Sequence, residues 1–234
     1  MVKEATIGPD IDLQWWEGLA PYTPILEAME ARAAAIRVGA AREAIWFLEH
    51  PPLFTAGTSS APADLFNPFG FPVFEAGRGG QYTYHGPGQR VCYVMLDLQK
   101  RGRDLRNFVC QMENVVITAL AELGVAADRL KPHVGVWVAR PGSGGAGKDK
   151  IAAIGVRVRR WVSLHGFALN VDPDLAHFSG IVPCGIREPG LGVTSLRALR
   201  VEADMATVDQ RLVQAMTSLW GANAEANRCA AGGS

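Results

Sequence analysis

Strand-like and helix-like runs follow one another along this chain without a regular strand–helix–strand rhythm. Runs such as EAIWFLEH and WVSLHGFALNV are rich in β-branched and aromatic residues, and Pro51-Pro52 and Asp172-Pro173 stop them, as is typical of strands. Two longer runs, 22–40 and 104–124, carry apolar residues at helical spacing. Because strands outnumber helices and do not form βαβ units, the pattern predicts an α+β fold, a mixed β-sheet flanked by helices.

The remaining segments complete this outline. Short strands are predicted at LFTAG and VFEAG, a long one at RVCYVMLDL, a short helix at DLAHFSGI and a C-terminal helix over 207–220. The runs VGVWVAR and KIAAIGVRV predict a hairpin joined by the flexible glycine-rich loop 141–149. The segment 59–72 is rich in Pro, Gly and Phe, and predicts a surface loop with buried aromatic side chains.

Length and charge set the class of protein. The 234 residues, 48% of them hydrophobic, predict one domain over 1–220, followed by a flexible tail at 221–234. Lys+Arg and Asp+Glu both total 23, so nothing global argues for nucleic acid or a membrane as partner. No apolar run approaches about 18 residues, and the N-terminus lacks the apolar region of a signal peptide, which predicts a cytoplasmic protein.

The four cysteines, Cys92, Cys110, Cys184 and Cys229, include no C-x-x-C pair, which makes a zinc ribbon a poor interpretation. In a reducing cytosol a structural disulfide is not expected. Cys92 and Cys110 lie within apolar periodic runs, as packed cysteines do. Cys184 stands between proline and glycine instead, which favours a presented side chain.

A presented thiol becomes a nucleophile when a nearby base or cation stabilises its thiolate. Lys150, His85 and His165 are candidates, and spacing alone does not choose among them. Lys150 opens an apolar strand, so it is either a solvated lysine at a strand edge or a partly buried amine able to act as a base. Lys148 is predicted to stay in the preceding loop and in water.

The densest polar motif is RGGQYTYHGPGQ, from Arg78 to Gln89. Its glycines permit positive φ and close backbone approach, so main-chain N–H groups can face a ligand. The alternative is a tight turn whose polar residues satisfy its own backbone. The Walker and Rossmann glycine spacings are absent, so it is not a phosphate loop of those types.

Five segments, RGGQYTYHGPGQ, GVWV, KIAAIG, HGFALNV and PCGI, occur in this order and carry a resemblance to a known family. Together with LEHPPLFTAG they are similar to the octanoyl-[acyl-carrier-protein]:protein N-octanoyltransferases, the lipoate-biosynthesis protein B family, over roughly residues 20 to 200. The resemblance implies the fold of biotin/lipoate protein ligases, and an acyltransferase without cofactor or metal.

The resemblance also implies roles for individual residues. By motif position, Cys184 is the nucleophile that carries an acyl thioester, and Lys150 is its acid/base partner. The implied substrate-binding residues are Arg78, Gly79, Gly80, Gln81, Tyr82, Thr83, Tyr84, His85, Ala153, Ile154, Gly155, Gly166, Phe167 and Ala168. Tyr93, His165 and His50 are supporting candidates; we expect His85 to line the site, and His165 and His50 to brace it through hydrogen bonds.

The implied donor of the octanoyl or lipoyl group is acyl carrier protein. The implied acceptors are lysines in the lipoyl domains of 2-oxoacid dehydrogenase E2 subunits and in the glycine cleavage H protein. Three alternatives stay open: an ATP-dependent lipoate or biotin protein ligase of the same fold, an acyltransferase of the same fold with another acceptor, and a non-catalytic acyl-binding protein. The ligase and the binding protein need no nucleophilic cysteine, so the loss of Cys184 discriminates between them and the transferase.

Overall fold

The computed structural model describes residues 2–144, 146–182 and 188–221. The helices in these ranges are α1 Tyr22–Arg37, α2 Leu105–Ala121 and α3 Met205–Trp220, with short 3-10 helices at Pro62–Asp64, Leu98–Arg101 and Leu175–Gly180. The strands are β1 Val2–Ile7, β2 Ile11–Leu19, β3 Glu43–Glu49, β4 Leu53–Ala56, β5 Val73–Glu75, β6 Thr83–His85, β7 Gln89–Met95, β8 Ala127–Leu130, β9 His133–Ala139, β10 Lys148–Arg159, β11 Val162–Asn170 and β12 Leu191–Val193. Beyond Gly221, the predicted tail lies outside the described residues.

The strands form two sheets. The large sheet has the order β1-β2-β3-β7-β11-β10-β9-β8, and β12 pairs with β10. The pairs β2–β3 and β10–β12 are parallel, and the other pairs of this sheet are antiparallel. The small sheet has the order β5-β4-β6. The predicted α+β class, a mixed sheet flanked by helices, is confirmed.

The central strands of the large sheet are buried on both faces. In β3, Ile45 and Phe47 pack against α2 and α3, whereas Trp46 and Leu48 pack against α1. Residues that alternate along a strand point to opposite faces, so a strand covered on both sides needs apolar residues throughout. This double coverage explains why EAIWFLEH reads as an uninterrupted apolar run.

Helices α2 and α3 begin directly after an aspartate whose side chain caps the first turn. The side chain of Asp104 accepts a hydrogen bond from Asn107 N at the start of α2, and that of Asp204 accepts from Thr207 N at the start of α3. Such caps satisfy backbone donors that the first turn leaves free. Helix α1 follows Pro21 without a side-chain cap, and its burial of Ile25, Met29 and Ile36 confirms the predicted apolar face.

Several local predictions are wrong. The β1–β2 hairpin was not predicted, because β1 is an exposed edge strand that is held by pairing rather than by its own burial. The glycine-rich motif contains a strand, β6, rather than a continuous loop. Phe66 and Phe69 are exposed, at 60% and 39%, although the loop was expected to bury its aromatics. Composition indicates a loop but not the direction of its side chains.

The cysteines also differ in part from expectation. Cys92 is free and buried in β7, as its apolar setting predicted. Cys110 is disulfide-bonded, against the expectation that no structural disulfide would form. That expectation rested on the predicted cellular compartment, which carries no geometric information.

Membrane-spanning helices and metal-binding clusters are both absent from the described ranges. No helix there is long and apolar enough to cross a membrane. No group of three or more His, Cys, Asp or Glu side chains there could hold a metal ion.

A buried ion pair ties α3 to the large sheet. Arg90 Nε and Nη2 donate to Asp209 Oδ1 and Oδ2 at 2.8 and 3.0 Å, and the two side chains are 8% and 12% exposed. Burial raises the pKa of Asp209 to about 6, although Arg90 acts in the opposite direction. Removal of one partner from such a pair strands the other charge away from water.

We expect Asp209→Ala to lower the free energy of unfolding by about 3–5 kcal/mol, because the Arg90 guanidinium would stay buried without its carboxylate. Chemical denaturation near neutral pH measures the change. The control is Glu30→Ala, which breaks the half-exposed pair between Arg157 and Glu30 and should cost less than about 1 kcal/mol. Equal, small losses at the two sites would contradict an anchoring role for the buried pair.

Candidate functional site

A cavity of about 250 Å³ is lined by residues from both sheets. The large sheet contributes residues of β7, β10 and β11, and the small sheet contributes residues of β4 and β6. Pro132 and the first two residues of β9, together with the first residue of α1, complete the wall. The lining residues are Tyr22, Thr55, Arg78–Thr83, His85, Val91, Tyr93, Pro132–Val134, Lys150, Ala153–Gly155 and His165–Ala168.

Most of the sequence-predicted site residues meet in this cavity. The glycine-rich segment Arg78–Thr83, the β10 segment Ala153–Gly155 and the β11 segment Gly166–Ala168 all line it, together with Lys150 and His85. Tyr93 and His165 line it as well. Cys184 lies outside the described residues.

Tyr84 does not line the cavity. It lies between Thr83 and His85 on β6, and successive side chains of a strand point to opposite faces. Its hydroxyl contacts His177 Nδ1 at 2.8 Å, and its ring packs edge-on against Phe178. The implied substrate contact of Tyr84 therefore has no counterpart in this geometry.

His50 supports the cavity from behind, as expected, and is fully buried. Its Nδ1 lies 2.6 Å from the carbonyl oxygen of Ala20, and its Nε2 lies 2.8 Å from the hydroxyl of Tyr93. Burial lowers the pKa of His50 to about 4, so the ring is neutral near pH 7. A carbonyl oxygen accepts, so Nδ1 donates to Ala20 and the Tyr93 hydroxyl donates to Nε2.

His165 lines the cavity and, as expected, also supports its wall through a hydrogen bond, which it makes with the backbone of Ala76. Its backbone has φ 60°, a left-handed conformation that is rare for a residue with a side chain, and its N–H points to Met29 Sδ at 3.2 Å. Its Nε2 has no hydrogen-bond partner among the described residues. Burial lowers the pKa of His165 to about 3, and the Arg78 guanidinium adds to the effect.

His85 stands in the same wall and is also neutral. Its Nδ1 lies 2.6 Å from Gln89 Oε1, and Gln89 Nε2 in turn donates to Tyr84 O and Asn170 Oδ1. Burial lowers the pKa of His85 to about 3, and His50 contributes in the same direction. His50, His85 and His165 therefore carry no charge at neutral pH.

Arg78 places a guanidinium group in the cavity wall. Its Nη2 donates to Thr55 O and Thr55 Oγ1 at 3.0 and 2.7 Å, and its Nη1 donates to Gly79 O at 3.0 Å. Glycine is required beside it, because a Cβ on Gly57 would lie 2.1 Å from Gly80 O. The motif thus satisfies part of its own backbone and also faces the cavity, so the two alternatives for it are not exclusive.

Lys150 is buried, at 6% exposure, rather than solvated at a strand edge. Its Nζ donates to Val134 O at 3.0 Å and lies 4.9 Å from the centre of the Trp137 ring. No salt bridge joins it to a carboxylate in the described part of the chain. Lys148 is the first residue of β10 and half-buried, so the expectation that it stays in the loop is wrong.

Some cavity residues were missed by the sequence reasoning. Thr55 lies within LEHPPLFTAG, and His133 and Val134 lie directly beside GVWV, so a wider reading of these motifs would have found them. Tyr22 and Val91 carried no such signal, because an aromatic residue at a helix start and a valine in a strand are ordinary core residues. Burial raises the pKa of Tyr22 to about 12.

The chain that follows residues 183–187 re-enters the described part of the protein beside this cavity. Glu188 Oε1 lies 3.3 Å from Nε2 of the cavity residue His133. Strand β12 then pairs in parallel with β10, so that Val193 is opposite Lys150. Within ten residues after Cys184, the chain therefore contacts His133 through Glu188 and pairs with Lys150 through Val193.

Comparison with known proteins places this chain among related sequences. The family model for the lipoyl protein ligase A/B catalytic domain matches residues 21–217. An octanoyltransferase of Maricaulis maris (strain MCS10) is 59% identical over 213 residues, which cover 91% of this chain and 93% of the relative. One from Chelativorans sp. (strain BNC1) is 53% identical over 219 residues, with 92% and 88% covered.

Solved structures share the fold at much lower identity. A bipartite lipoate protein ligase from Thermoplasma acidophilum superimposes with a TM-score of 0.65 at 16% identity, covering 92% of this chain and 84% of that chain. A lipoate-protein ligase A bound with ATP gives a TM-score of 0.62 at 19% identity, with 87% and 83% covered. These two likenesses concern the arrangement of the sheet and helices.

Because His50, His85 and His165 are buried in the neutral form, we expect the free energy of unfolding to fall in mild acid. Their pKa values are lowered to between about 3 and 4, so between there and about 6.5 the unfolded chain binds protons that the folded chain does not. Their contribution to stability is present above about pH 6.5 and lost as pH falls through that window. Asp209, with a raised pKa, acts in the opposite sense, but it is one group against three.

We therefore expect the free energy of unfolding to fall between about pH 6.5 and pH 4.5, by about 1.4 kcal/mol per pH unit for each net proton. Urea denaturation at a series of pH values measures this slope. In His50→Gln the slope should drop by close to one proton. A stability that stays constant across this pH range in wild type would show that the histidines are not buried in the neutral form.

Proposed function

Because the chain belongs to the lipoyl protein ligase A/B catalytic-domain family and its relatives are octanoyltransferases, we propose that Cys184 and Lys150 perform its octanoyl transfer. The chain is an acyltransferase that acts in protein lipoylation. The proposed donor is octanoyl-acyl carrier protein. The proposed acceptors are lysines in the lipoyl domains of 2-oxoacid dehydrogenase E2 subunits and in the glycine cleavage H protein.

One observation carries this proposal: a buried lysine in the cavity lacks an anionic partner. Lys150 Nζ has one hydrogen-bond acceptor, Val134 O, among the described residues. No Asp or Glu of the described chain lines the cavity. An ammonium group that is removed from water is costly unless an anion or several acceptors compensate it. A Cys184 thiolate would supply that anion.

The electrostatics of the wall also favour Lys150 over the other candidates for the partner of the thiol. His85 and His165 are neutral near pH 7, since their pKa values are lowered to about 3, so neither supplies a cation or a strong base. Arg78 carries a charge but does not give up its proton. Lys150 is the candidate that can both stabilise a thiolate and exchange a proton.

In the proposed first step the Cys184 thiolate attacks the octanoyl carbonyl carbon of the donor thioester. The carbon–sulfur bond to the carrier breaks, and the Lys150 ammonium gives its proton to the departing carrier thiolate. The enzyme then holds an octanoyl thioester and a neutral Lys150 amine. One thioester replaces another, so the step needs no ATP.

In the second step the neutral ε-amine of the acceptor lysine attacks the enzyme thioester, and Lys150 takes up the proton that the nitrogen loses. The amide forms, the Cys184 thiolate leaves, and the thiolate–ammonium pair is restored. The acyl chain packs against the apolar part of the wall, which includes Val91, Ile154 and Phe167. Each buried CH₂ contributes about 0.8 kcal/mol to binding.

Incubation with octanoyl-carrier protein without ATP, followed by intact mass measurement, tests the proposal directly. An added mass of one octanoyl group, mapped to Cys184, is the expected result. An adenylate-forming ligase would acquire no acyl group under these conditions, and a non-catalytic binding protein would release its ligand on denaturation. Either result would overturn the covalent mechanism.

We expect Cys184→Ser to abolish octanoyl transfer while the protein stays folded, because a hydroxyl is a far weaker nucleophile than a thiolate. The matched control is Cys92→Ser, since Cys92 is fully buried in β7. It should lower the free energy of unfolding by about 1–3 kcal/mol and keep turnover per folded molecule. Near-normal turnover in Cys184→Ser would contradict the thioester intermediate.

The role of Lys150 is tested by the rate of alkylation of Cys184 as a function of pH. Lys150→Ala removes both the cation and the base, so alkylation should require higher pH and transfer should fall steeply. Lys150→Arg keeps a charge that cannot be donated, and should retain part of the thiol reactivity while losing transfer. Lys148→Ala, two residues earlier on β10, should change neither. An unchanged alkylation profile in Lys150→Ala would exclude Lys150 from the site.

A further inference from the structure

Trp137 lies directly opposite Lys150 in the antiparallel pair of β9 and β10. Its side chain is 2% exposed, and the centre of its ring is 4.9 Å from Lys150 Nζ. The face of an indole ring attracts a cation, and tryptophan does so most strongly among the aromatic residues. One wall of the space around the Lys150 amine is therefore an aromatic face rather than a charged group.

The same indole is hydrogen-bonded to the start of β9, the segment that also contacts the amine. Trp137 Nε1 donates to the carbonyl oxygen of His133 at 3.2 Å. The next carbonyl in the chain, Val134 O, accepts the hydrogen bond from Lys150 Nζ at 3.0 Å. Trp137 is thus linked to both described contacts of the amine. Its ring face lies next to Nζ, and its hydrogen bond to His133 O helps to hold the neighbouring carbonyl of Val134 in place.

The backbone on both sides is adapted to this arrangement. The register of β9 and β10 shifts between Lys150 and Ala152, and such bulges redirect the neighbouring side chains. Gly135 has φ 129°, and a Cβ there would lie 3.2 Å from Lys150 Cε and 2.8 Å from Ala152 O. Glu113 of α2 accepts a hydrogen bond from Gly135 N at 3.0 Å, and this bond attaches the start of β9 to α2.

We propose that Trp137 is a positioning residue for Lys150, holding its amine in one direction within the cavity. This inference rests on the function proposed above. A lysine side chain has four rotatable bonds, and an amine that must accept and return one proton acts only in a narrow range of positions. Two contacts, one to a ring face and one to a carbonyl, remove most of that freedom and leave Nζ directed at a third partner.

The experiment compares Trp137→Leu, which removes the ring, with Trp137→Phe, which keeps a smaller ring face. The matched control is Trp220→Leu, because Trp220 is equally buried, at 5% exposure, and its Nε1 also makes one hydrogen bond, to Gln111. It lies at the end of α3 and does not line the cavity. Two quantities are measured: kcat and KM with octanoyl-carrier protein, and the acetylation of Lys150 by acetic anhydride relative to the exposed Lys100 in the same sample.

We expect Trp137→Leu to lower kcat by at least about tenfold with KM nearly unchanged, because the amine is present but misdirected. Its Lys150 should also be acetylated several-fold faster relative to Lys100. Trp137→Phe should restore most of both values, and Trp220→Leu should alter neither. If Trp137→Leu does not fold, Trp137→Met, which fills more of the space, takes its place.

Unchanged kcat and acetylation in Trp137→Leu would overturn the proposal, as would the same changes in Trp220→Leu or no rescue by phenylalanine. Lys150→Ala, measured in parallel, separates this failure from that of the proposed function. Normal transfer in Lys150→Ala would overturn the role of Lys150, and the acetylation ratio alone would then decide whether Trp137 orients the amine.

Discussion

Burial of the central strands on both faces is the constraint on which this structure depends. Strands β3, β7 and β11 leave almost no side chain in contact with water, so each inward-pointing group must be either apolar or hydrogen-bonded. Most polar residues in or beside these strands follow this rule, although Trp46 Nε1 and His165 Nε2 have no partner among the described residues. His50 bridges Ala20 and Tyr93, and Ser163 donates to Val94 O. The cavity lies where the small sheet, instead of a helix, faces the large sheet.

This constraint also accounts for the unusual charge distribution of the cavity. Burial removes the charge from His50, His85 and His165, whereas Arg78 keeps its charge because its donors meet carbonyl and hydroxyl oxygens. The described wall therefore includes Arg78 and Lys150, which can carry positive charge, and His133, whereas no carboxylate lines it. A cavity of this kind favours species that develop negative charge, such as a thiolate or the oxyanion of a tetrahedral intermediate.

The sequence predicted well what depends on local pattern. Apolar periodicity located α1, α2 and α3, and continuous β-branched runs located β3, β7, β10 and β11. What it missed depends on contacts between distant segments. Strand β1 is held by its neighbour, and Lys148 joins β10 because Ala139 and Leu191 flank it on both sides. Motif resemblance identified most of the cavity wall, but it also assigned Tyr84 to the substrate site, whereas strand alternation turns this side chain away from the cavity.

The chain order of the cavity wall has a consequence for how this protein can vary. The match of the family model begins at residue 21, directly after the β1–β2 hairpin. Its exit at Ala20 supplies the carbonyl that fixes the His50 ring, and this ring in turn orients the hydroxyl of Tyr93 in the wall. The exposed residues of β1 can thus diverge in sequence with little effect on the pocket, provided that the chain still delivers this one backbone oxygen to the same place.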